Sequence, residues 1–502
     1  SRRITGVRQI VKIEGLERPT WLRPGIAVVA DSTWAAIKGR DALQLTWNEG
    51  PAANVDSDGI SKQFQLMESL PGTFLRRTGD VDRALAGAPH RVDAVYELPL
   101  LAHVSMEPMN CTAHVKGAKC DVWGPIQLPA QAQQMVAKAT GLNKEAIAIH
   151  PTRIGGSFGR RLASDFAAEA AYVAKAVDRP VQVVWTREDD VRGDFYRPAA
   201  YHHVRAAATD DGTVTGWRHH IVTMPNSMYP EATGTEGLLA PRSDNLRADL
   251  SDGFRPCLIP NFELILSTAR IPVQTGSLRA PENNANAFVI QSMIDELAHA
   301  SRVDPLALQS RLLGKASDYP YSGKYSSGLY NPDRLKAVLT LAAVSAGWGT
   351  KLSSGRGRGI AAHHTNNSYA AYVIEVEVDP SRRLDIRRVV VAIDCGTPVN
   401  RSGIEAQAQG GTLDALSAAL FGEITLARGR SVQDNFTNYR WLRNHEAPTI
   451  ETHLVESREA PTGLGEIPYP PVAPALTNAI FSAIGERIRR LPLSRHGFTL
   501  AT

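Results

Sequence analysis

Cysteine is scarce in this chain of 502 residues. Its four cysteines, Cys111, Cys120, Cys257 and Cys395, lie far apart, and none forms a C-x-x-C pair. An iron–sulfur cluster needs four thiolates brought together, usually from a tight run, so none is expected within this chain. The spacing leaves open buried thiols, or a disulfide between Cys111 and Cys120 in an oxidising compartment. Long apolar runs are also missing, so no spanning helix is expected. The opening, SRRITGVRQIVKIEG, lacks the apolar stretch of a secretory signal and has no initiator methionine. Either a leader has been removed or the chain starts inside a longer precursor. There is no excess of one charge: 55 Lys and Arg against 51 Asp and Glu leave +4. With the basic residues scattered, neither nucleic acid nor a membrane surface is called for as a partner. H-E-x-x-H, the Gly-Lys-Ser/Thr of a P-loop and G-x-G-x-x-G are all absent. No repeat at a fixed period and no low-complexity tract occurs.

What is present is an ordinary globular composition, 43% hydrophobic and 21% charged, enough for a core without staples. A prior of ~150 residues per domain suggests about three units. Residues 1–75 read as a small α/β unit: a strand in GIAVVA, a helix from Thr33 to Asp41 capped at Asp31 or Ser32, and a second strand in LQLTW. Residues 76–350 alternate strands (HRVDAVYEL, AIAIHPT, PVQVVWT) with helices (QAQQMVAKATGL ending at Gly141, SDFAAEAAYVAKAV). FVIQSMIDELAHA follows as a helix with its charges opposite its apolar face. KLSSGRGRG (351–359) reads as a linker. Residues 351–502 hold paired strands (YAAYVIEVEVD, LDIRRVVVAIDCG) around the turn PSRR, then helices in GIEAQAQGGTLDALSAALFG and PALTNAIFSAIGERI.

Four segments could carry chemistry. Gly155-Gly156-Ser157-Phe158-Gly159, between a strand and a helix, lets backbone approach a ligand and presents free N–H groups to an anion; a plain tight turn reads equally well. Glu466 in Gly463-Leu464-Gly465-Glu466, before a proline-stiffened strand, is a carboxylate that could be fixed in a low-polarity place and act as a base, against the reading of a solvated loop acid. Arg279 in SLRAP could orient a carbonyl or carboxylate with its planar donor fork, or pair with Glu282 on the surface. Gln127, between Pro125 and Pro129, could offer its amide to a metal-oxo ligand, or simply occupy a turn. The pairs His202-His203, His219-His220 and His363-His364 do not suit a metal, because adjacent strand residues point to opposite faces.

Taken together and in order, Gln127 in its Pro-rich turn, GGSFG (155–159), SLRAP (277–281) and GLGE (463–466) resemble the xanthine oxidase family of molybdenum hydroxylases. AVVADSTWAAIKGRDALQLTWNEG is similar to that family's hammerhead domain. HVSMEPMNCTA (103–113), DCGTPVN (394–400) and EAQAQGG (405–411) extend the likeness over nearly the whole chain. IGGSFGRRLASDFAAEAA and GLGEIPYPPVAPALTNAIF resemble the large subunit of the isoquinoline 1-oxidoreductase branch, which includes bacterial aldehyde dehydrogenases.

The resemblance implies an α+β fold: a hammerhead α/β domain (1–75), a first mixed α/β molybdopterin-binding domain with the substrate pocket (76–350), and a second carrying the catalytic glutamate (351–502). It implies Glu466 as general base. Gln127, Gly155, Gly156, Ser157, Phe158, Gly159 and Gly465 would face a molybdopterin, the cytosine dinucleotide form of bacterial members, with molybdenum held through the pterin and not by side chains. Arg279 and Leu162 would line the substrate pocket. Purine-oxidising members carry a glutamate where Leu162 stands, which points to an aldehyde or an apolar N-heteroaromatic. The family's Gly-Gln-Gly segment is missing, so a separate chain or a cleaved N-terminal part is expected to supply that half of the pterin site. Electrons would leave through a two-iron two-sulfur subunit and then a cytochrome c. A twin-arginine leader on the missing part of relatives suggests the periplasm, with the cytoplasm as alternative. A non-catalytic scaffold subunit of a molybdoenzyme complex, and a nucleotide-binding protein using the 155–159 turn, are the rival readings.

Overall fold

The computed structural model describes residues 3–16, 22–48, 50–228, 258–314, 319–320 and 329–501. Among the described residues, three larger sheets with helices packed on them and three two-stranded pairs make up the α+β architecture. The N-terminal unit pairs strands Val7–Ile13 and Gly25–Ala30 antiparallel, followed by the helix Thr33–Asp41, where Ser32 accepts a hydrogen bond from the Ala35 amide as N-cap. The expected strand LQLTW does not form. It has no partner strand, and Leu45 and Trp47 are left 45% and 51% exposed. Helix Ser57–Glu68 packs on the next sheet and strand Thr73–Thr78 pairs into it.

That next sheet runs in the order Thr73–Thr78, Asn261–Thr268, Val214–Thr223, Ala200–Ala208, His90–Leu98. A second sheet, in the order Ile147–Pro151, Lys119–Gly124, Asn110–Lys116, Val181–Val184, carries helices Pro129–Thr140 and Asp165–Val177. Gly141 ends the first of these helices in the left-handed region, as its position predicts. Cys111 and Cys120 are free, buried thiols on neighbouring strands. The register opposes Cys120 to Val115, so the two cysteines are not partners, and burial pushes the Cys111 thiol up to about 12. Cys257 lies outside the described residues.

The third sheet runs Arg356–Thr365, Ser368–Val378, Arg383–Asp394, Ile450–Leu454. Between it and the first sheet lies the helix Pro281–Ala300, which packs on strand His90–Leu98 and on helix Val472–Ile484. This central helix departs from the amphipathic reading. Its charges do not face solvent: Asp295 and Glu296 are buried and meet Arg487 and Arg489, each at 2.5 Å. A carboxylate at those places survives burial because a guanidinium neutralises it. Phe288, Met293 and Leu297 on the same helix are fully buried, each worth roughly 1.5–3 kcal/mol by removal from water.

The stretch read as a linker is half strand. From Arg356 it pairs with Ser368–Val378, and its glycines serve packing: a Cβ on Gly359 would stand 2.2 Å from the Ala475 carbonyl and 2.3 Å from the Ala479 amide. Helix Val472–Ile484 can lie on this strand only because residues 357 and 359 have no side chain. Gly359→Ala should therefore destabilise the fold by ~1–3 kcal/mol, read as a lowered thermal midpoint. Gly87→Ala, whose Cβ would meet nothing within 4 Å, should leave the midpoint unchanged.

Candidate active site

Gln127 sits in the turn between strand Lys119–Gly124 and helix Pro129–Thr140, exposed, and its Oε1 accepts a 2.8 Å hydrogen bond from Ser157 Oγ. The carbonyl oxygen is thereby engaged, which turns the amide nitrogen into the outward-facing donor. Ser157 belongs to the glycine-rich turn, which is braced from behind. Glu107 accepts from the Gly155 amide at 2.8 Å, and its own amide donates to the Gly155 carbonyl at 3.1 Å. Arg161 donates to the Gly156 carbonyl at 2.8 Å and to Glu107 at 3.0 Å. No partner is found among the described residues for the amides of Gly156, Ser157, Phe158 and Gly159.

Phe158 has φ +52° and Gly159 φ +112°. The first is strained for a bulky residue, at a cost of order 1–3 kcal/mol. The second needs glycine outright, since a Cβ would fall 1.6 Å from the Ser277 carbonyl. That carbonyl also accepts from His103 Nε2 at 2.9 Å, while His103 Nδ1 meets the buried Asp194 at 2.9 Å. The turn is thus pressed against the segment 277–280.

Arg279 closes the arrangement. Its amide donates to the Phe158 carbonyl at 2.8 Å, its Nε to the Gly465 carbonyl at 2.7 Å, and another guanidinium nitrogen to Gln407 at 3.0 Å. Asp414 stands 3.7 Å away. The side chain is 8% exposed, so the donor fork is engaged within the protein and ties the 155–159 turn to the 463–466 segment. It does not lie on the surface, and its acidic neighbour is Asp414. A Cβ on Gly411 would stand 3.3 Å from the guanidinium and 2.7 Å from the Pro468 side chain. EAQAQGG and GLGE, distant in sequence, therefore meet at Arg279.

Glu466 is half-buried, and Asn366 Nδ2 donates to its Oε2 at 2.7 Å. The residues after it form a turn and not the expected strand: the Tyr469 amide donates to the Glu466 carbonyl at 3.0 Å, and Tyr372 donates to the Pro468 carbonyl at 2.9 Å. Gly463 and Gly465 are exposed, and a Cβ on Gly465 would meet nothing within 4 Å. Leu162 is half-buried in the turn Arg160–Leu162 and packs against the cluster of Ala163, Ala168 and Phe195. Its side chain thus shares surface with the core.

Of the residues expected at a site, Gln127, 155–159, Arg279, Gly465 and Glu466 form one connected array through these hydrogen bonds. Asn366, Gln407, Asp414, His103 and Glu107 were not foreseen as members. The sequence did carry a signal for Asn366, since Asn-Asn between two apolar strands marks a tight hairpin turn. The histidine pairs lie apart from this array. His202 Nδ1 meets His219 Nε2 at 2.8 Å in the first sheet, and burial holds His202 down to about 3. No group of three or more metal-ligating side chains occurs among the described residues.

Two models of the molybdopterin cofactor-binding domain match the chain, one over residues 66–235 and the other over 337–448. The first includes Gln127 and the glycine-rich turn. The chain belongs to the xanthine oxidase family of molybdopterin-binding large subunits. It is 25% identical over 503 residues to isoquinoline 1-oxidoreductase subunit beta of Brevundimonas diminuta, covering 96% of this chain and 61% of that protein. It is 27% identical over 490 residues to a membrane-bound aldehyde dehydrogenase of Gluconacetobacter polyoxogenes, covering 93% and 62%. That relative is named for pyrroloquinoline quinone, a different cofactor from the one that both domain models describe. The crystal structure of quinoline 2-oxidoreductase from Pseudomonas putida 86 superposes with TM-score 0.78 at 13% identity, covering 98% of this chain and 90% of that one, and so shares the fold. The chain spans about three fifths of the length of these two curated relatives.

The residues present fit a molybdopterin. A row of unpartnered amides, a side-chain amide nitrogen at Gln127 and bare glycine backbone at 463 and 465 offer donors and close approach to an anionic, oxygen-bearing group. No side-chain metal ligands are needed when the pterin holds the metal.

Asp414, behind Arg279, has its carboxyl pushed up to about 6 by burial, with Arg279 opposing the shift. An unfolded aspartate titrates near ~3.9. Between those values the folded chain binds the extra proton, so stability falls as pH rises through the window. Asp414→Asn cannot titrate. Its thermal midpoint relative to the parent should rise between about pH 4.5 and about pH 7.5, and a constant difference would contradict the assignment.

Proposed function

We propose that the chain is the catalytic, molybdopterin-binding part of a hydroxylase that oxidises an aldehyde or N-heteroaromatic carbon with water as the oxygen source. The observation that carries this reading is the hydrogen-bonded array joining Gln127 to Ser157, Phe158 to Arg279, Arg279 to Gly465, and Glu466 to Asn366. A scaffold would need neither a half-buried carboxylate held beside bare glycines nor a strained turn with four unpartnered amides.

The amides of 156–159 and the Gln127 nitrogen would hold the cofactor at its oxygen-bearing end, with Gly463 and Gly465 approaching from the other strip. When bound, molybdopterin supplies a two-electron acceptor and an activating metal for water. Glu466 is the group placed to take a proton: Oε2 is engaged by Asn366, and Oε1 has no partner among the described residues. Arg279 holds that carboxylate's segment in register with the turn. Leu162 in place of an acidic side chain favours substrates without a purine's donor pattern, and the names of the relatives, an aldehyde dehydrogenase and an isoquinoline oxidoreductase, agree with that class.

The cofactor is the cytosine dinucleotide form. A Gly-Gln-Gly segment completes the pterin site, and a two-iron two-sulfur subunit carries electrons onward to a cytochrome c. The compartment that suits such an acceptor is the periplasm. The name of one relative, a subunit beta, supports a multi-subunit assembly.

Glu466→Gln keeps the shape and the hydrogen-bonding capacity while removing the base. In the purified complex it should fold and retain molybdenum and pterin, with turnover of aldehydes or N-heterocycles down at least ~100-fold. Near-parental turnover in a fully loaded variant would remove Glu466 from the role. Absence of molybdenum from the parent complex would favour the scaffold reading.

A further inference from the structure

The geometry points to Asn366 as the positioning residue that fixes the Glu466 carboxylate and leaves Oε1 as its proton-accepting oxygen, an inference that rests on Glu466 being the base. Asn366 and Asn367 form the two-residue tip of the hairpin between strands Arg356–Thr365 and Ser368–Val378, with φ +53° and +60°. Such a turn requires two left-handed residues and accepts glycine at either place. The turn admits Asn or Gly at 366, so it does not by itself call for an amide directed at another segment. The side chain present spans to Glu466, one hundred residues on, and donates to Oε2 at 2.7 Å.

The segment that carries Glu466 cannot hold the carboxylate by itself. Gly463 and Gly465 are exposed, and residues without Cβ give the backbone wide freedom. Its restraints come from outside. Ser368 Oγ donates to the Gly463 carbonyl at 2.6 Å and lies 2.7 Å from Thr462 Oγ1, and Arg279 holds the Gly465 carbonyl. These fix the backbone. Asn366 is the side chain that fixes the carboxylate itself.

The tip is a firm support. Thr365 and Ser368 are paired across the turn, both fully buried, and Asn283 on the central helix donates to Thr365 Oγ1 at 3.1 Å. His363, on the same strand, meets Asn283 Oδ1 at 2.9 Å. The amide at 366 is thus set by a sheet anchored to the central helix. A carboxylate has two equivalent oxygens and rotates freely. A donor on one of them stops the rotation and assigns the other to proton transfer.

The test uses the holoenzyme with Asn366→Gly, which suits the turn and removes the amide, and with Asn367→Gly as control at the neighbouring tip position. Asn366→Gly should lower kcat at least ~10-fold with KM within about twofold, because misplacement by about an ångström can cost up to ~100-fold in rate. Molybdenum content and thermal midpoint should stay at the parental values, and Asn367→Gly should behave as the parent. Asn366→Asp keeps the left-handed tolerance but replaces the donor by an acceptor, and should lose as much or more. Combined with Glu466→Gln, the Asn366→Gly change should add no further loss, since the group it positions is gone. Parental kcat in Asn366→Gly beside a large loss in Glu466→Gln would overturn the positioning role alone. Parental turnover in Glu466→Gln would overturn the base, and the positioning role with it.

Discussion

One guanidinium joins the two halves of the site. Arg279 reaches the Gly465 carbonyl across 186 positions of sequence, while its own amide holds the Phe158 carbonyl. The 155–159 turn follows a strand of the second sheet and the 463–466 segment follows one of the third, and both are rich in glycine, so neither carries rigidity to the other. A planar cation with several donors can serve both at once, and in a buried place each hydrogen bond is strengthened by the low dielectric. Asp414 and Gln407 surround the remaining nitrogens, so the charge is not left bare. Removal of this side chain would leave the Gly465 carbonyl without its donor and Asp414 without its countercharge.

The strain around that residue is placed where it is useful. Phe158, whose carbonyl accepts from the Arg279 amide, and Ala280, which follows Arg279, both have left-handed backbone. Each costs of order 1–3 kcal/mol, and the surrounding packing over-determines it: Gly159 pressed against Ser277, His103 held by Asp194, and Glu107 braced by Arg161. What results is a run of backbone amides turned away from any partner in the described chain. The fold spends stability there to present donors outward, which a plain surface turn would not do.

Much of this was legible from residue patterns. Strand His90–Leu98, helix Asp165–Val177 and the hairpin of the third sheet follow from periodicity and turn residues, because local burial sets both. The motifs GGSFG, SLRAP and GLGE each read alone as turn or surface, and pointed to a site only through their combined order and its resemblance to a known family. Contacts between distant segments were not legible. Nothing local says that Gln407 will meet Arg279, or that the charges of the central helix turn inward to Arg487 and Arg489. LQLTW has the composition of a strand, but a strand exists only with a neighbour to pair with. The glycines at 357 and 359 looked like a linker because a packing requirement and flexibility leave the same residue in the sequence.

The proposed function places a metal-bearing pterin between the Gln127–Phe158 strip and Glu466. Anomalous diffraction at the molybdenum edge, from crystals of the isolated complex, tests it most directly. One molybdenum peak is expected in the space bordered by Gln127, Phe158, Gly465 and Glu466, with the Glu466 carboxylate turned toward it. A peak elsewhere in the complex, or a Glu466 carboxylate facing bulk water with the metal beyond its reach, would contradict it.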